Sequence, residues 1–300
     1  MNESDWIRQY IAPLVTAPGA SGLRDDVALL SIDGPTVATM DTLVEGVHFL
    51  RADPVDTVGQ KLIRVNVSDI LAKGARPSEA LLSIAWPKNR SESEFSALLS
   101  GVARDLRELG VSLIGGDLVR TDGPLTVTLS LTGTCIGDGP VRRAGGAPEH
   151  ALWISGEIGW GALGLEAAQS GVDPDIADRY HVPRIARMDA ADIVARLASA
   201  SVDVSDGLLI DASRLAAASE CGVVIDLEAV PLAAPSPDLA SILAQCTAGD
   251  DYQILMSAPP ETRIDGFSKI GFLTESGGLQ LRHRGQPVNA PSILGFEHKA

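Results

Sequence analysis

The sequence predicts an α/β (α+β) chain in two domains, and three observations predict it. Three hundred residues are too many for one ordinary core, so two domains are expected. In both halves, short apolar runs of strand length alternate with longer segments whose apolar residues recur at helical spacing. A breaker-rich stretch, Gly137-Asp138-Gly139-Pro140 to Gly145-Gly146-Ala147-Pro148, separates the halves and sets expected domains at 1–137 and 138–300.

Taken in order, residues 5–15 read as a short helix and 18–22 as a loose loop. Residues 27–32 read as a strand following Asp25-Asp26. Asp33-Gly34-Pro35 is turn chemistry, and 36–40 is a strand closing on Asp41. These two strands are expected to pair as a hairpin. Residues 57–73 read as a helix stopped by Gly74, with Asn66 and Asp69 at i, i+3 on one face. Residues 81–86 form a strand ending at Pro87. Ser91 with Glu94 is a capping-box signal, followed by the stripe Phe95, Leu98, Leu99, Val102, Leu106, Leu109 and the stop Gly110. Strands at 111–114 and 125–135 flank a Gly115-Gly116-Asp117 turn. The second half reads as strands at 151–155, 202–205, 223–227, 252–256, 269–273 and 279–283, with helices at 161–170, 190–199 and 208–219.

Charge narrows the function. Lysine plus arginine is 24 against 39 acids, a net charge of −15. That argues against nucleic acid, whose binding needs a basic footprint, and against anionic membrane. A phosphate ligand would need bound cations or a few placed bases. Cys135, Cys221 and Cys246 lie far apart without zinc-site spacing, as in a reduced cytosolic protein. The polar start Met1-Asn2-Glu3-Ser4-Asp5 is unlike a secretory signal, and no apolar run nears the ~20 residues of a membrane helix. A soluble cytoplasmic protein is expected.

Gly159-Trp160-Gly161-Ala162-Leu163-Gly164 matches the dinucleotide fingerprint in form. The second strand and acid expected about 20 residues on are missing, so tight strand-to-helix packing explains the glycines better. No Walker A sequence occurs, and the protein-kinase signatures are absent. The acids carry more. Asp41, Asp117, Asp203 and Asp206 close apolar runs, Asp25-Asp26 opens one, and Asp69 lies in an apolar helix. One such aspartate ordinarily forms a turn or caps a helix, as Asp206 before Gly207 could. Together they are costly to bury unless cations compensate them. Magnesium takes oxygen ligands and bridges carboxylates to phosphates, so the acids are expected to gather around divalent metal and a nucleotide phosphate chain. His48 near this stretch is either a packing residue or a ligand group. Arg143 is either a solvated charge or a phosphate clamp.

Jointly these residues resemble the thiamine-monophosphate kinase family, in the superfamily of aminoimidazole ribonucleotide synthetase and selenophosphate synthetase. The matching pieces are Asp25-Asp26-Val27-Ala28, Asp41-Thr42-Leu43-Val44-Glu45-Gly46-Val47-His48-Phe49, Val65-Asn66-Val67-Ser68-Asp69, Ile114-Gly115-Gly116-Asp117, Arg143-Ala144-Gly145, Asp203-Val204-Ser205-Asp206-Gly207-Leu208 and Gly249-Asp250-Asp251-Tyr252. Their order over nearly the whole chain carries the resemblance. It implies a two-domain aminoimidazole ribonucleotide synthetase-like fold. The N-terminal mixed-sheet domain would pair into a barrel in a homodimer, and a C-terminal α/β domain would complete the site. It implies ATP as co-substrate, several Mg2+ ions, and in-line transfer of the γ-phosphoryl group to thiamine monophosphate without a phosphoenzyme.

By the same resemblance, Asp26, Asp41, Asp69, Asp117, Asp203 and Asp206 would hold magnesium, with Thr39 and Met40 beside Asp41. Asp41, Asp69 and Asp206 would be the catalytic acids. Gly116, Asp117, Arg143 and Ser205 would serve ATP. His48, Asp250 and Phe296 would bind the acceptor. Two positions depart from the family pattern. Met40 stands where a hydroxyl residue is usual, which leaves only its backbone carbonyl for metal. Asp250 stands for a longer glutamate. The alternatives are a sister enzyme of the superfamily, a non-catalytic Mg-nucleotide-binding module, and a nicotinamide oxidoreductase. The 18–22 loop lacks the cysteine of selenophosphate synthetase, and the end His298-Lys299-Ala300 lacks the cysteine of the hydrogenase-maturation relative.

Overall fold

A computed structural model describes residues 3–23, 27–275 and 277–297. The chain divides into two compact units, Met1–Ile70 with Arg76–Cys135, and Leu71–Ala75 with Ile136–Ala300. Asp25 and Asp26 lie outside the described residues.

The first unit opens with a short helix α1 (Glu3–Trp6), a π-helical turn at Ile7–Ile11 and 3-10 turns at Ala12–Leu14 and Pro18–Leu23. Trp6, Tyr10, Trp86 and Phe95 form one aromatic cluster beneath it, with Trp6 and Phe95 centroids 4.4 Å apart. Strand β1 (Thr36–Val44) is followed by helix α2 (Val55–Ala72), strand β2 (Ala75–Pro87), helix α3 (Glu92–Glu108), and strands β3 (Ser112–Thr121) and β4 (Thr126–Cys135). Among the described residues these strands form a mixed sheet, order β1-β4-β2-β3, with β1 antiparallel to β4 and β2 parallel to β3. Both halves of the capping box at Ser91 and Glu94 are made, which fixes the start of α3. Gly59 and Gly101 let α2 and α3 approach closely: a Cβ on Gly101 would fall 1.8 Å from the Asp56 carbonyl oxygen. The buried carboxylate of Asp105 then ties the helices, accepting from Gln60 Nε2 at 2.9 Å and Arg64 Nε at 2.6 Å.

Four expectations need correction. Residues 27–32 are not a strand, and Val27, Leu29 and Ile32 are exposed. The partner of β1 is β4 and not this segment, because the Thr36–Val44 register is filled by Thr126–Cys135. Asp41 does not end its strand, and Gly115-Gly116-Asp117 is not a turn; both strands run on for several residues. Which face each acid takes is therefore set by the pleat.

The second unit contains strand β5 (Ala151–Ile154), helices α4 (Trp160–Ser170), α5 (Pro174–His181) and α6 (Ala190–Leu197), strand β6 (Ala200–Val204), helix α7 (Leu208–Ala218) and strand β7 (Gly222–Asp226). Helix α8 (Leu239–Cys246) and strands β8 (Gln253–Ala258), β9 (Ser268–Thr274), β10 (Leu279–His283) and β11 (Gln286–Val288) complete it. The sheet order is β11-β10-β7-β9-β5-β8-β6. Strand β5 is antiparallel to both neighbours, so the glycine turn after it is not the crossover of a dinucleotide fold. Val202, Val204, Leu208, Leu215, Val223, Ile225 and Leu255 pack between sheet and helices, each burial stabilising by roughly 1.5–3 kcal/mol. Asp173 at the N-cap and Pro174 at the first helical position start α5, a helix that periodicity had not revealed.

Candidate active site

In the first unit β1 presents alternate faces. Thr39 and Asp41 share the face of buried Leu43, while Met40 is exposed on the other, so the Met40 side chain points away from Asp41. Thr39 Oγ1 donates to Asp69 Oδ2 of α2 at 2.5 Å. Asp41 is pushed up to about 6, first by burial and then by the charge of Asp69. Two carboxylates held this close on a half-buried surface suit a divalent cation, which would relieve both causes at once. Asn66, one turn before Asp69, is fully buried: Nδ2 donates to the Leu62 carbonyl, and Oδ1 finds no partner among the described residues.

Asp117 takes the other side. It lies next to buried Leu118 on β3, level with Ser83 of β2, and shares its exposed face with Val119. The sheet thus brings Asp41 and Asp69 together and leaves Asp117 apart. Gly116 beside it is a close-approach position, since a Cβ there would fall 1.8 Å from the Leu82 carbonyl oxygen.

His48 follows β1 in a tight turn. Its Nδ1 accepts from the Val44 amide at 3.1 Å, and its own amide donates to the Val44 carbonyl at 2.9 Å. The neutral ring then carries its proton on Nε2. Lys61, buried on α2, holds the turn by donating to the His48 carbonyl at 3.3 Å.

In the second unit the end of β6 organises the remaining acids. Asp203 is buried within the strand. Asp206 does not cap α7; the N-cap is Gly207 and no side chain bonds there. Instead the amides of Asp206 and Gly207 both donate to Asp211 Oδ2 at 3.1 Å. The Asp206 carboxylate pairs with Arg214, which also donates to Asp211 Oδ1 at 3.0 Å. Asp211 is 1% exposed and its carboxyl is raised, first by burial and then by Asp206, so Arg214 is the cation that keeps this acid pair tolerable.

The Gly249–Tyr252 loop is hooked to the same place. The Asp250 amide donates to the Ser205 carbonyl at 2.8 Å and the Tyr252 amide to the Val204 carbonyl at 2.8 Å. Asp250 and Tyr252 both have positive φ, 58° and 51°, the strained conformation expected of a loop held for function. The Tyr252 hydroxyl donates to Asp250 Oδ1 at 2.7 Å. The Phe296 amide donates to the Asp206 carbonyl at 2.8 Å, which brings the third acceptor-binding candidate of the sequence to this loop. Asp203, Ser205, Asp206, Asp250 and Phe296 therefore meet within one unit.

The Arg143 backbone lies by the start of β6 and the end of α7: its carbonyl accepts from Ser219 Oγ at 3.0 Å, and the neighbouring Arg142 carbonyl accepts from the Ser201 amide at 2.8 Å.

The sequence reading missed Asp211, Arg214 and Asp251. Asp251 is 4% exposed and pushed up to about 7 by burial, against the amides of Gly159, Gly161 and Trp160 that favour its charged form. Gly159 donates to its two oxygens at 2.9 and 3.0 Å. Its position beside Asp250 in the Gly249-Asp250-Asp251-Tyr252 run was the available signal.

As to metal, no group of three or more His, Cys, Asp or Glu is gathered for one ion among the described residues. The acids come in pairs, Asp41 with Asp69 and Asp206 with Asp211. Pairs fit magnesium, which keeps several waters and completes its shell with substrate phosphate oxygens. No helix among the described residues is long and apolar enough to cross a membrane.

Comparison with known proteins identifies the family. Residues 24–137 match the AIR synthase related protein, N-terminal domain, and residues 147–272 its C-terminal domain. The chain is similar to the thiamine-monophosphate kinase of Caulobacter vibrioides, 36% identical over 323 residues, covering 99% of this chain and 90% of that one. Its fold is similar to the thiamine monophosphate kinase of Aquifex aeolicus, with 30% identity, a TM-score of 0.75 and coverage of 84% and 88%. It is equally similar to the structure of AaThiL complexed with AMPPCP and TMP, with 30% identity, a TM-score of 0.77 and coverage of 87% of each chain. The chain belongs to the thiamine-monophosphate kinase family, within the AIR synthase related proteins.

Proposed function

We propose that this chain transfers the γ-phosphoryl group of ATP to the phosphate of thiamine monophosphate, giving thiamine diphosphate and ADP. The observation that carries the reading is the family relation over 99% of the chain. The attacking group is a phosphate oxygen, already anionic near neutral pH, so the protein needs no strong general base. Its own work is to position and to compensate charge. Asp41 and Asp69 of the first unit, with Asp203 and Asp206 of the second, are the proposed Mg2+ ligands; Asp117, Thr39, the Met40 carbonyl and Asp26 are carried as further candidates. Bound magnesium would neutralise charge on the phosphate oxygens as the transfer proceeds. Ser205, Gly116 and Arg143 are proposed to contact ATP. His48 would contact the acceptor, Asp250 would face the cationic thiazolium, and Phe296 would lie against a ring face.

The chain is proposed to act as a homodimer. The sheet face bearing Met40, Leu81 and Val119, exposed by 65%, 44% and 45%, offers apolar surface for a second copy. A reducing, cytoplasmic compartment suits its free cysteines.

The test is direct. Purified protein with ATP, Mg2+ and a panel of phosphorylated acceptors should form thiamine diphosphate and ADP in equal amounts from thiamine monophosphate, and sedimentation should report twice 31.3 kDa. Turnover of another acceptor but not this one overturns the substrate assignment, and a monomer overturns the dimer.

A further inference from the structure

Asp206, proposed above as a magnesium ligand, already holds a cation. Arg214 of α7 directs one nitrogen, Nη1, at two acids: it pairs with Asp206 Oδ2 and donates to Asp211 Oδ1 at 3.0 Å. A single cationic atom between oxygens of two carboxylates stands where a divalent ion would stand in such a pair. The two acids are not held alike. The Asp211 side chain is 1% exposed, and its Oδ2 is committed to the amides of Asp206 and Gly207 at 3.1 Å. The Asp206 side chain is 35% exposed. Its main chain is pinned separately, the amide by Asp211 Oδ2 and the carbonyl by the Phe296 amide at 2.8 Å. Asp206 can therefore change partner by side-chain torsions alone, whereas Asp211 cannot.

Arg214 has a place to go as well. Its Nη2 lies 3.9 Å from Oε1 of Glu297, an exposed neighbour of Phe296, and a pair that long and that wet contributes little as it stands. We propose that Arg214 is a positioning residue, the resident counter-ion of Asp206, and that Mg2+ takes the Asp206 carboxylate by displacing it. On release the guanidinium keeps Asp211 and closes on Glu297. The proposal rests on the reading of Asp206 as a metal ligand and adds what that ligand must first give up. A bracing role for Arg214 has the opposite sign. If the guanidinium only propped Asp206, its loss would weaken metal binding. The loss of a competitor strengthens it, because no positive charge on the carboxylate has to be exchanged. Asp211 holds the Asp206 and Gly207 amides in either case, so the main-chain course of the loop does not depend on Arg214.

Thermal unfolding of the full chain at about pH 8, from chelator through rising Mg2+ alone, tests it. The readout is the Mg2+ concentration that gives half of the rise in unfolding midpoint. Arg214→Gln should be less stable than wild type in chelator, where Asp206 and Asp211 face each other without a cation. It should reach its half-rise at about tenfold lower Mg2+ than wild type. Arg214→Lys keeps the charge and should return the half-rise to within about threefold of wild type. In an Asp206→Asn background, Arg214→Gln should leave the half-rise unchanged, which separates Asp206 from the Asp41–Asp69 pair. Four results overturn the proposal alone: a half-rise in Arg214→Gln equal to or above that of wild type, one in Arg214→Lys as low as in Arg214→Gln, the same tightening in the Asp206→Asn background, or an Arg214→Gln chain that Mg2+ does not refold. A Mg2+ response identical in wild type and Asp206→Asn overturns the reading of Asp206 as a ligand and the proposal with it.

Discussion

Asp41→Asn is expected to lower kcat with thiamine monophosphate by about 10³-fold, the scale of removing a principal electrostatic group at a phosphoryl-transfer centre, without weakening the metal-free fold. The two halves of this expectation have one cause. Burial and Asp69 disfavour the charged carboxylate and raise its pKa from 3.8 to about 6. A carboxyl whose folded pKa lies above its unfolded value costs nothing below pH ~4, costs progressively more up to about 6, and costs its full amount above that. Two pKa units correspond to about 3 kcal/mol. Partial exposure of Asp41 reduces this to on the order of 1–2 kcal/mol. The amide removes that charge and keeps the shape, so Asp41→Asn should be more stable than wild type at pH 8 in chelator and equal to it at pH 4. Thr39 and Asp69 keep their hydrogen bond in either case. Urea unfolding at the two pH values, with kcat against Mg2+ concentration, checks both halves. Wild-type turnover in Asp41→Asn would remove Asp41 from the chemistry. A loss of stability at pH 8 would mean that the carboxylate is held by favourable contacts, contrary to its raised pKa.

Local chemistry was legible where the sequence carries a local cause. The Ser91–Glu94 box, the 3.6-residue stripe of α3 and the stop at Gly74 each state their own element, because caps and periodicity act within a few residues. Strand extent was not legible in the same way. Asp41 is a poor strand former alone, yet it and Thr42 continue β1 because Leu129 and Thr128 pair with them across the sheet. Residues 27–32 have the opposite fate: a strand-like apolar run ends unpaired because its neighbour position is taken by a strand almost a hundred residues later. The same division runs through the site. Asp203, Ser205 and Asp206 are visible as a run. Asp211 and Arg214, which hold that run in place, come from the following helix and are indistinguishable in sequence from ordinary helical charges. The separation of Asp117 from Asp41 is equally non-local, since it depends on which side of two different strands the pleat turns each residue.

Gly161→Ala, a change of one methyl, is expected to raise the KM for thiamine monophosphate about tenfold and to destabilise the fold by about 2 kcal/mol. Within a helix this substitution ordinarily stabilises by roughly 0.5–1 kcal/mol, so the prediction reverses the usual sign. The reversal comes from contact. A Cβ on Gly161 would lie 2.3 Å from the Gly249 carbonyl oxygen and 2.7 Å from Asp250 Cβ. The opposing loop has little freedom to retreat. Gly249 is itself closed against the Ser205 carbonyl, where a Cβ would fall 2.7 Å from the oxygen. Asp250 and Tyr252 are bonded to β6 and its end through their amides and held at positive φ. What yields is either the start of α4, losing the Asp251 bonds to Gly159 and Gly161, or the Asp250 side chain. Both disturb the acceptor and not the nucleotide. Steady-state kinetics in each substrate separates this from the dinucleotide-loop interpretation of the same glycines, under which nucleotide affinity would suffer instead. Gly139→Ala, where a Cβ meets nothing within 4 Å, is the control for a harmless added methyl. A KM that moves for ATP and not for thiamine monophosphate would show that the Gly159–Gly164 turn serves the nucleotide, and that its packing against Asp250 is incidental.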